Sequence, residues 1–209
     1  MTDTPKTGGL AGVYDIDSAD AARRYYDDWA DGYDAEVSAN DYVTPRRAAE
    51  ALAQFVDDPT LPLADFGCGT GVSGVALAAA GFTTIDGFDI SDGMLAHAKA
   101  KGVYRSLAPL DLSQPLTGFA DGAYANAAAI GVISPSIMPP TVLDEILRTV
   151  PVGGAFVFSL NDNHGASGVV QGRVHELIDS GYADLLLGEK GPHLPGINLA
   201  ATVYVLRRR

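Results

Sequence analysis

Asp65-Phe66-Gly67-Cys68-Gly69-Thr70-Gly71 is the stretch on which the fold turns, read together with Asp89 at the end of the next apolar run. Three glycines at alternate positions, Gly67, Gly69 and Gly71, make a loop in which no side chain blocks a ligand and whose backbone can take positive φ. The run 61–66 before it is short and apolar, like a buried strand. The run 72–80 after it is rich in Ala, like a helix packed on a sheet. Strand, glycine loop, helix, strand and terminal acid is the βαβ layout of a nucleotide-binding half-domain. An acid at the end of the second strand can accept hydrogen bonds from both hydroxyls of a ribose.

Outward from this loop the chain keeps alternating. Strands are expected over 61–66, 83–89, 103–108, 123–130 and 155–160, with helices over 72–80, 93–101, 141–150 and 169–180. Gly81, Gly102 and Gly181 each stand where a helix should stop. Two further strands, 183–187 and 199–206, close the chain. Upstream, residues 21–37 carry helical spacing with many aromatics and acids, capped by Asp17 or Ser18. Thr44-Pro45 opens a second helix over 46–56, with Thr as the cap and Pro in the first turn. The pattern predicts an α/β fold with a doubly wound, mostly parallel seven-stranded sheet. Residues 1–15 read as a flexible tail, 16–58 as an N-terminal helical lid, and 59–209 as the ligand-binding α/β domain, one compact unit with the lid. Ligands of such sheets bind beyond the C-terminal strand ends. That rule gathers 65–71, Asp89, Asp111, 131–134 and 161–164 along one edge.

Composition narrows the function. The chain has 209 residues, enough for one such domain, and a net charge of −12. A chain this acidic is repelled by phosphate backbones, which argues against a nucleic-acid partner. Its one cysteine, Cys68, excludes an intramolecular disulfide and a cysteine metal site. No His/Asp/Glu cluster has metal-ligand spacing, so no metal is expected. Residues 1–12 hold no apolar signal core, and no apolar run is long enough to span a bilayer. The cytoplasm is the expected location.

The glycine loop with Asp89 resembles motif I of the class I S-adenosylmethionine (SAM)-dependent methyltransferases. Asp86-Gly87-Phe88-Asp89-Ile90-Ser91-Asp92-Gly93-Met94-Leu95 resembles that family's second motif. Tyr26-Asp27-Asp28-Trp29-Ala30-Asp31-Gly32-Tyr33-Asp34 resembles the segment that often precedes the domain. Pro151-Val152-Gly153-Gly154 is similar to a turn that often reads Lys-Pro-Gly-Gly in the family. The likeness runs over roughly residues 20–160. Within the superfamily, Lys101-Gly102-Val103-Tyr104-Arg105 is similar to the small methyltransferase-like proteins named after the Williams–Beuren region.

The resemblance implies a Rossmann-like fold, SAM as cofactor and S-adenosyl-L-homocysteine (SAH) as product. It implies that the backbone of Gly67, Cys68, Gly69 and Gly71 lies against the methionine part, with Asp65 facing its ammonium. Asp89 would take the ribose with Ile90 next to it. Met94 would wall the adenine, and Asp111-Leu112 would meet its amino group and a ring nitrogen. Gly131 would line the methyl-donor side, and Trp29 and Tyr33 would roof the cofactor. Tyr26, Ser134 and Asn161 are the candidate acceptor contacts, and His164, after the fifth strand, is the candidate general base. His193, in a Gly/Pro-rich stretch, could border the acceptor pocket, whereas His97 and His175 read as structural. Plainer readings stand beside these: a helix cap for Asp89, core packing for Trp29 and Met94, and a turn acid for Asp111.

Methyl transfer from a sulfonium is an in-line displacement, so alignment of donor and acceptor does most of the work. A base is needed only for an acceptor protonated at neutral pH. The acceptor is expected to be a small molecule, and the sequence is silent on oligomeric state. Two other functions compete. Gly69-Thr70-Gly71-Val72-Ser73-Gly74 matches the G-x-G-x-x-G of NAD(P)-dependent oxidoreductases, with Asp89 at the expected distance. That reading requires the strand to run through Gly67-Cys68 and to bury Asp65 unpaired. The other is a non-catalytic SAM-binding protein, suggested by the proline-rich run 135–140. An open pocket beyond Ser134, not plugged by Met138, would favour an enzyme.

Overall fold

A computed structural model of the chain describes residues 9–13, 16–162 and 167–209, Ser167 by its backbone alone. Two helices come first, α1 (Ala19–Ala39) and α2 (Thr44–Ala53). The alternating part follows as β1 (Leu63–Phe66), α3 (Val72–Ala79), β2 (Ile85–Asp89), α4 (Asp92–Lys101), β3 (Ser106–Pro109), β4 (Asn126–Ala129), α5 (Val142–Arg148), β5 (Ala155–Asn161) and α6 (Ser167–Asp179). A long hairpin, β6 (Ala183–Leu194) and β7 (Leu199–Arg208), ends the chain. The seven strands form one sheet in the order β3-β2-β1-β4-β5-β7-β6. β1 to β5 are mutually parallel, while β7 runs antiparallel to both β5 and β6.

The inner parallel strands β1, β2 and β4 are buried at every residue, whereas β3, at the sheet edge, is exposed at both ends. One core layer packs α5 and α6 against Phe66, Phe88, Phe156 and Phe158. The opposite layer packs α2 and α3 against Leu63, Ile85, Val157 and Val203. The strand order reverses between β1 and β4, so the chain leaves a crevice at the C-terminal ends of those two strands. The glycine loop opens into it.

Helix starts follow local chemistry. Ser18 caps α1, its Oγ accepting from the Ala21 amide, and Ser91 caps α4 by accepting from Met94. Lys99 and Lys101 sit in the last turn of α4, where the helix dipole favours cations. Thr44 differs from its expected role. It is the first helical residue, Val43 precedes it as the cap position, and its hydroxyl is spent elsewhere.

α1 reads as a two-sided helix. Asp27, Asp31 and Asp34 line one side and dock along α4. Asp27 accepts from the Ser91 hydroxyl at 2.6 Å and the Gly93 amide at 3.1 Å. Asp31 meets His97 Nε2 at 3.0 Å, and Asp34 pairs with Lys101. Tyr26, Trp29 and Tyr33 occupy the other side and turn towards the crevice. Residues 9–13 depart from the loose tail expected there. Glu36 accepts from the Leu10 amide at 2.9 Å and from the Trp29 indole at 2.8 Å, and so fastens this segment to α1. The rest of the expected tail, 1–8 and 14–15, lies outside the described residues.

Candidate functional site

One cavity occupies the crevice, floored by the C-terminal ends of β1 to β5 and roofed by α1. The sharp exit from β1 is what opens it. Gly67 turns at φ +71°, and a Cβ there would lie 2.2 Å from Val132 Cγ2, so neither the conformation nor the space admits a side chain. Its amide and that of Cys68 both donate to the Phe88 carbonyl, at 2.7 and 2.9 Å, which ties the loop to the end of β2. Gly69 then faces space clear of described atoms within 4 Å of where its Cβ would stand. Its amide donates to Asp89 Oδ2 at 2.8 Å.

Asp89 is nearly buried yet lines the cavity. Its second oxygen accepts from the Ser91 amide at 3.0 Å. Burial raises its pKa above the ordinary carboxylate value, with the Asp27 charge adding to that, and amide hydrogen bonds from Ser91, Gly69 and Ile90 oppose the rise. Ile90, Met94, Asp111 and Leu112 continue the same wall. Cys68 also lines it, but burial and the charges of Asp65 and Asp89 push its thiol far above the usual range, so no thiolate forms at neutral pH.

Asp65 is placed differently from the expectation. It is fully buried beneath the loop and does not line the cavity. Its Oδ2 accepts from Ser73 Oγ at 2.7 Å and from the Tyr104 hydroxyl at 2.8 Å, while Oδ1 has no partner among the described residues. Burial raises its pKa to about 6, against the two hydroxyl bonds that lower it. Gly71 also stands behind the wall, heading α3 and facing Ala98 and Lys101 of α4. Tyr104 explains the pattern. Its hydroxyl accepts from the Gly74 amide at 3.0 Å, and a Cβ at Gly74 would sit 2.3 Å from the ring. The last glycine of the G-x-G-x-x-G match therefore makes room for a tyrosine that reaches Asp65. The strand stops at Phe66, before the point the dinucleotide reading needs.

The roof and far wall bring together Tyr26, Trp29, Tyr33, Gly131, Ser134 and Asn161, all lining the cavity. Trp29 packs edge-on to Tyr33, with centroids 4.6 Å apart. Gly131 lies at φ +73°, and a Cβ there would meet the Tyr42 hydroxyl at 2.2 Å. Ser134 shares a 3.0 Å hydrogen bond with Ser136, whose hydroxyl donates to the Ile16 carbonyl. Ser134, Ile137 and Met138 all line the cavity. His164 lies outside the described residues. His175 is exposed, and His97 serves the α1–α4 contact.

Several lining residues were not legible beforehand: Leu10, Val13, Tyr42, Thr70 and Ile137. His193, read as part of a loop, stands instead near the end of strand β6, buried, with Nδ1 2.8 Å from Thr44 Oγ1 and its ring 5.1 Å from that of Tyr42. Among the described residues no group of three or more His, Cys, Asp or Glu side chains could hold a metal ion, and no helix is long and apolar enough to cross a membrane.

A mostly parallel sheet with a glycine loop at its switch point and an acid at the end of the next strand defines an α/β domain of the Rossmann-like class. Comparison with known proteins narrows this. The family described as "Methyltransferase domain" matches residues 64–158. The human methyltransferase-like protein 27 is 34% identical over 131 residues, a match covering 62% of this chain and 54% of that protein. The chain thus spans about half the length of the curated relative it matches. In fold it is similar to magnesium protoporphyrin IX methyltransferase of Synechocystis, solved with SAH bound (TM-score 0.65, 14% identity, 90% of this chain and 98% of that one). It is likewise similar to a SAM-dependent methyltransferase of Mesorhizobium loti (TM-score 0.59, 19% identity, 77% and 98%). Residues 64–158 thus match a methyltransferase domain, and the chain shares its fold with solved SAM-dependent methyltransferases.

Proposed function

We propose that this protein is an enzyme that moves a methyl group from SAM to a small-molecule acceptor. The observation that carries the reading is the pairing of Asp89 with the Gly67–Gly69 backbone at the β1/β4 switch point, both on the wall of one cavity. The residues present fit the cofactor. Gly69 leaves an unobstructed backbone surface, Asp89 offers carboxylate lone pairs to ribose hydroxyls, and Met94 and Leu112 offer apolar surface to a base. The positive end of α3, whose first residue Val72 lies on the cavity wall, favours the methionine carboxylate, with Tyr33 on the same cavity. When bound, SAM supplies an already activated methyl on a sulfonium.

What remains for the chain is to orient and to exclude water. α1 roofs the donor, and the Asp34 bonds to Thr70 (2.5 Å) and Lys101 pin that roof to the glycine loop and to α4. Gly131, Ser134, Tyr26 and Asn161 border the acceptor side. Alignment of this kind is worth roughly 7–11 kcal/mol in well-oriented systems. The test is incubation with methyl-labelled SAM and cell extract split into small-molecule, protein and nucleic-acid fractions. Enzyme-dependent label in the small-molecule fraction is expected. Label in none of them, from a protein that binds SAH, would favour the non-catalytic reading.

A further inference from the structure

We infer that Glu36 is a positioning residue for the roof of the cavity: its carboxylate latches residues 9–13 to Trp29, and the segment and the indole open together to let the cofactor pass. That the ligand passing beneath them is SAM rests on the methyltransferase reading above. Glu36 stands in the last turn of α1, about two turns on from Trp29 and so on the same face of the helix. Its Oε2 accepts from the Trp29 indole at 2.8 Å, and its Oε1 accepts from the Leu10 amide at 2.9 Å. Both bonds end on a charged acceptor, which makes them the stronger kind. Trp29 lines the cavity, and so do Leu10 and Val13 of the segment. One carboxylate therefore holds together two parts of the wall that lie far apart in the chain.

Residues 9–13 form a turn outside the sheet, with the Gly12 amide donating to the Gly9 carbonyl at 3.3 Å. The Tyr25 hydroxyl donates to the same carbonyl, and a Cβ at Gly12 would stand 2.7 Å from that hydroxyl, so the segment lies close against α1. A surface segment fastened by side chains rather than by a strand ladder comes from the low-stability end of a fold, where elements that admit ligands are found. The other side of α1 stays docked on α4 through Asp27, Asp31 and Asp34, so the latch opens without α1 leaving its place. Trp29 is only 5% exposed, and its indole N–H meets solvent when the latch opens.

The test uses the full chain, first without ligand. Trp29 is its single tryptophan, so one indole N–H signal in a nitrogen-15 spectrum reports on the latch alone. Leu10→Pro removes the Leu10 amide while leaving Glu36 and the indole in place, and Leu10 is the second residue of its turn, where proline fits. Loss of a hydrogen bond to a charged group should quicken indole exchange with solvent about tenfold in Leu10→Pro. Glu36→Leu, which removes both acceptors, should quicken it at least as much, and adding Leu10→Pro to Glu36→Leu should change it by less than about threefold. Indole exchange at the wild-type rate in Leu10→Pro, or an effect of Leu10→Pro as large beside Glu36→Leu as alone, would overturn the proposal. Stopped-flow binding of SAH then tests the passage. Association and dissociation should both quicken in Leu10→Pro by about the factor seen in exchange, leaving Kd nearly unchanged. Association that is unchanged or slower would overturn the gating. Failure of SAH to bind the wild type would sink the methyltransferase reading, and the exchange measurement would still decide the latch.

Discussion

Replacing Asp65 by Asn should change how stability depends on pH, by an amount the structure fixes. The carboxyl is fully buried, and its pKa rises from 3.8 to about 6, burial being the first cause. A folded-state pKa above the unfolded one means that the native state prefers the proton. The wild type therefore bears no charge penalty below about pH 3.8, builds it up as pH rises from there to about 6, and carries it in full above that. At about 1.4 kcal/mol per pKa unit, the gap is worth about 3 kcal/mol. In Asp65→Asn the amide oxygen can still accept from Ser73 and Tyr104. Its NH2 would replace Oδ1, which meets no partner among the described residues, and an unmet donor there costs about 1–3 kcal/mol. The variant should be the less stable protein at pH 4. Between pH 4 and 7.5 the difference should move by about 2.5 kcal/mol in its favour, approaching zero or reversing. Urea unfolding of both proteins across this range measures it, since groups common to the two cancel. A difference that stays flat with pH would refute the argument that Asp65 is a buried, strained acid.

Other consequences follow from the same geometry. Gly67→Ala forces an alanine to φ +71° and its Cβ into Val132, so thermal unfolding should report a loss of about 2–4 kcal/mol. Gly131→Ala would displace the Tyr42 hydroxyl, and SAH affinity should fall less than affinity for the acceptor, as two separate titrations would register. Thr70→Val removes the link from the glycine loop to Asp34 on α1, a hydrogen bond to a charged group worth about 1.5–3 kcal/mol. Amide exchange should quicken in α1 while the sheet keeps its protection; unchanged exchange in α1 would mean that the link does not hold the roof.

The order of elements was legible because apolar runs, glycine stops and caps agreed along residues 61–160. Most of the cavity wall was legible for the same reason, since the sheet's C-terminal edge is a single place once the strands are known. Three things were hidden. The length of β6 was masked by Gly188, Gly191 and Pro192, which an edge strand tolerates, and so His193 seemed to sit in a loop. Asp65 carries the residue type of a ligand contact. Its partners, Ser73 and Tyr104, are 8 and 39 positions away, and only the packing of α3 against β3's approach shows that it faces inward. Residues 9–13 look like a tail because their anchor, Glu36, is in the last turn of α1, 26 positions on from Leu10.

The central claim is that Asp89 and the glycine loop hold the nucleoside of SAM, and calorimetric titration of SAH into the wild type and Asp89→Ala tests it most directly. The loss of two charge-assisted hydrogen bonds, at about 1.5 kcal/mol or more each, predicts that one-site SAH binding weakens at least about 100-fold in a variant that still melts cooperatively. Equal SAH affinity in the two proteins, or binding of NAD in place of SAH, would contradict the account.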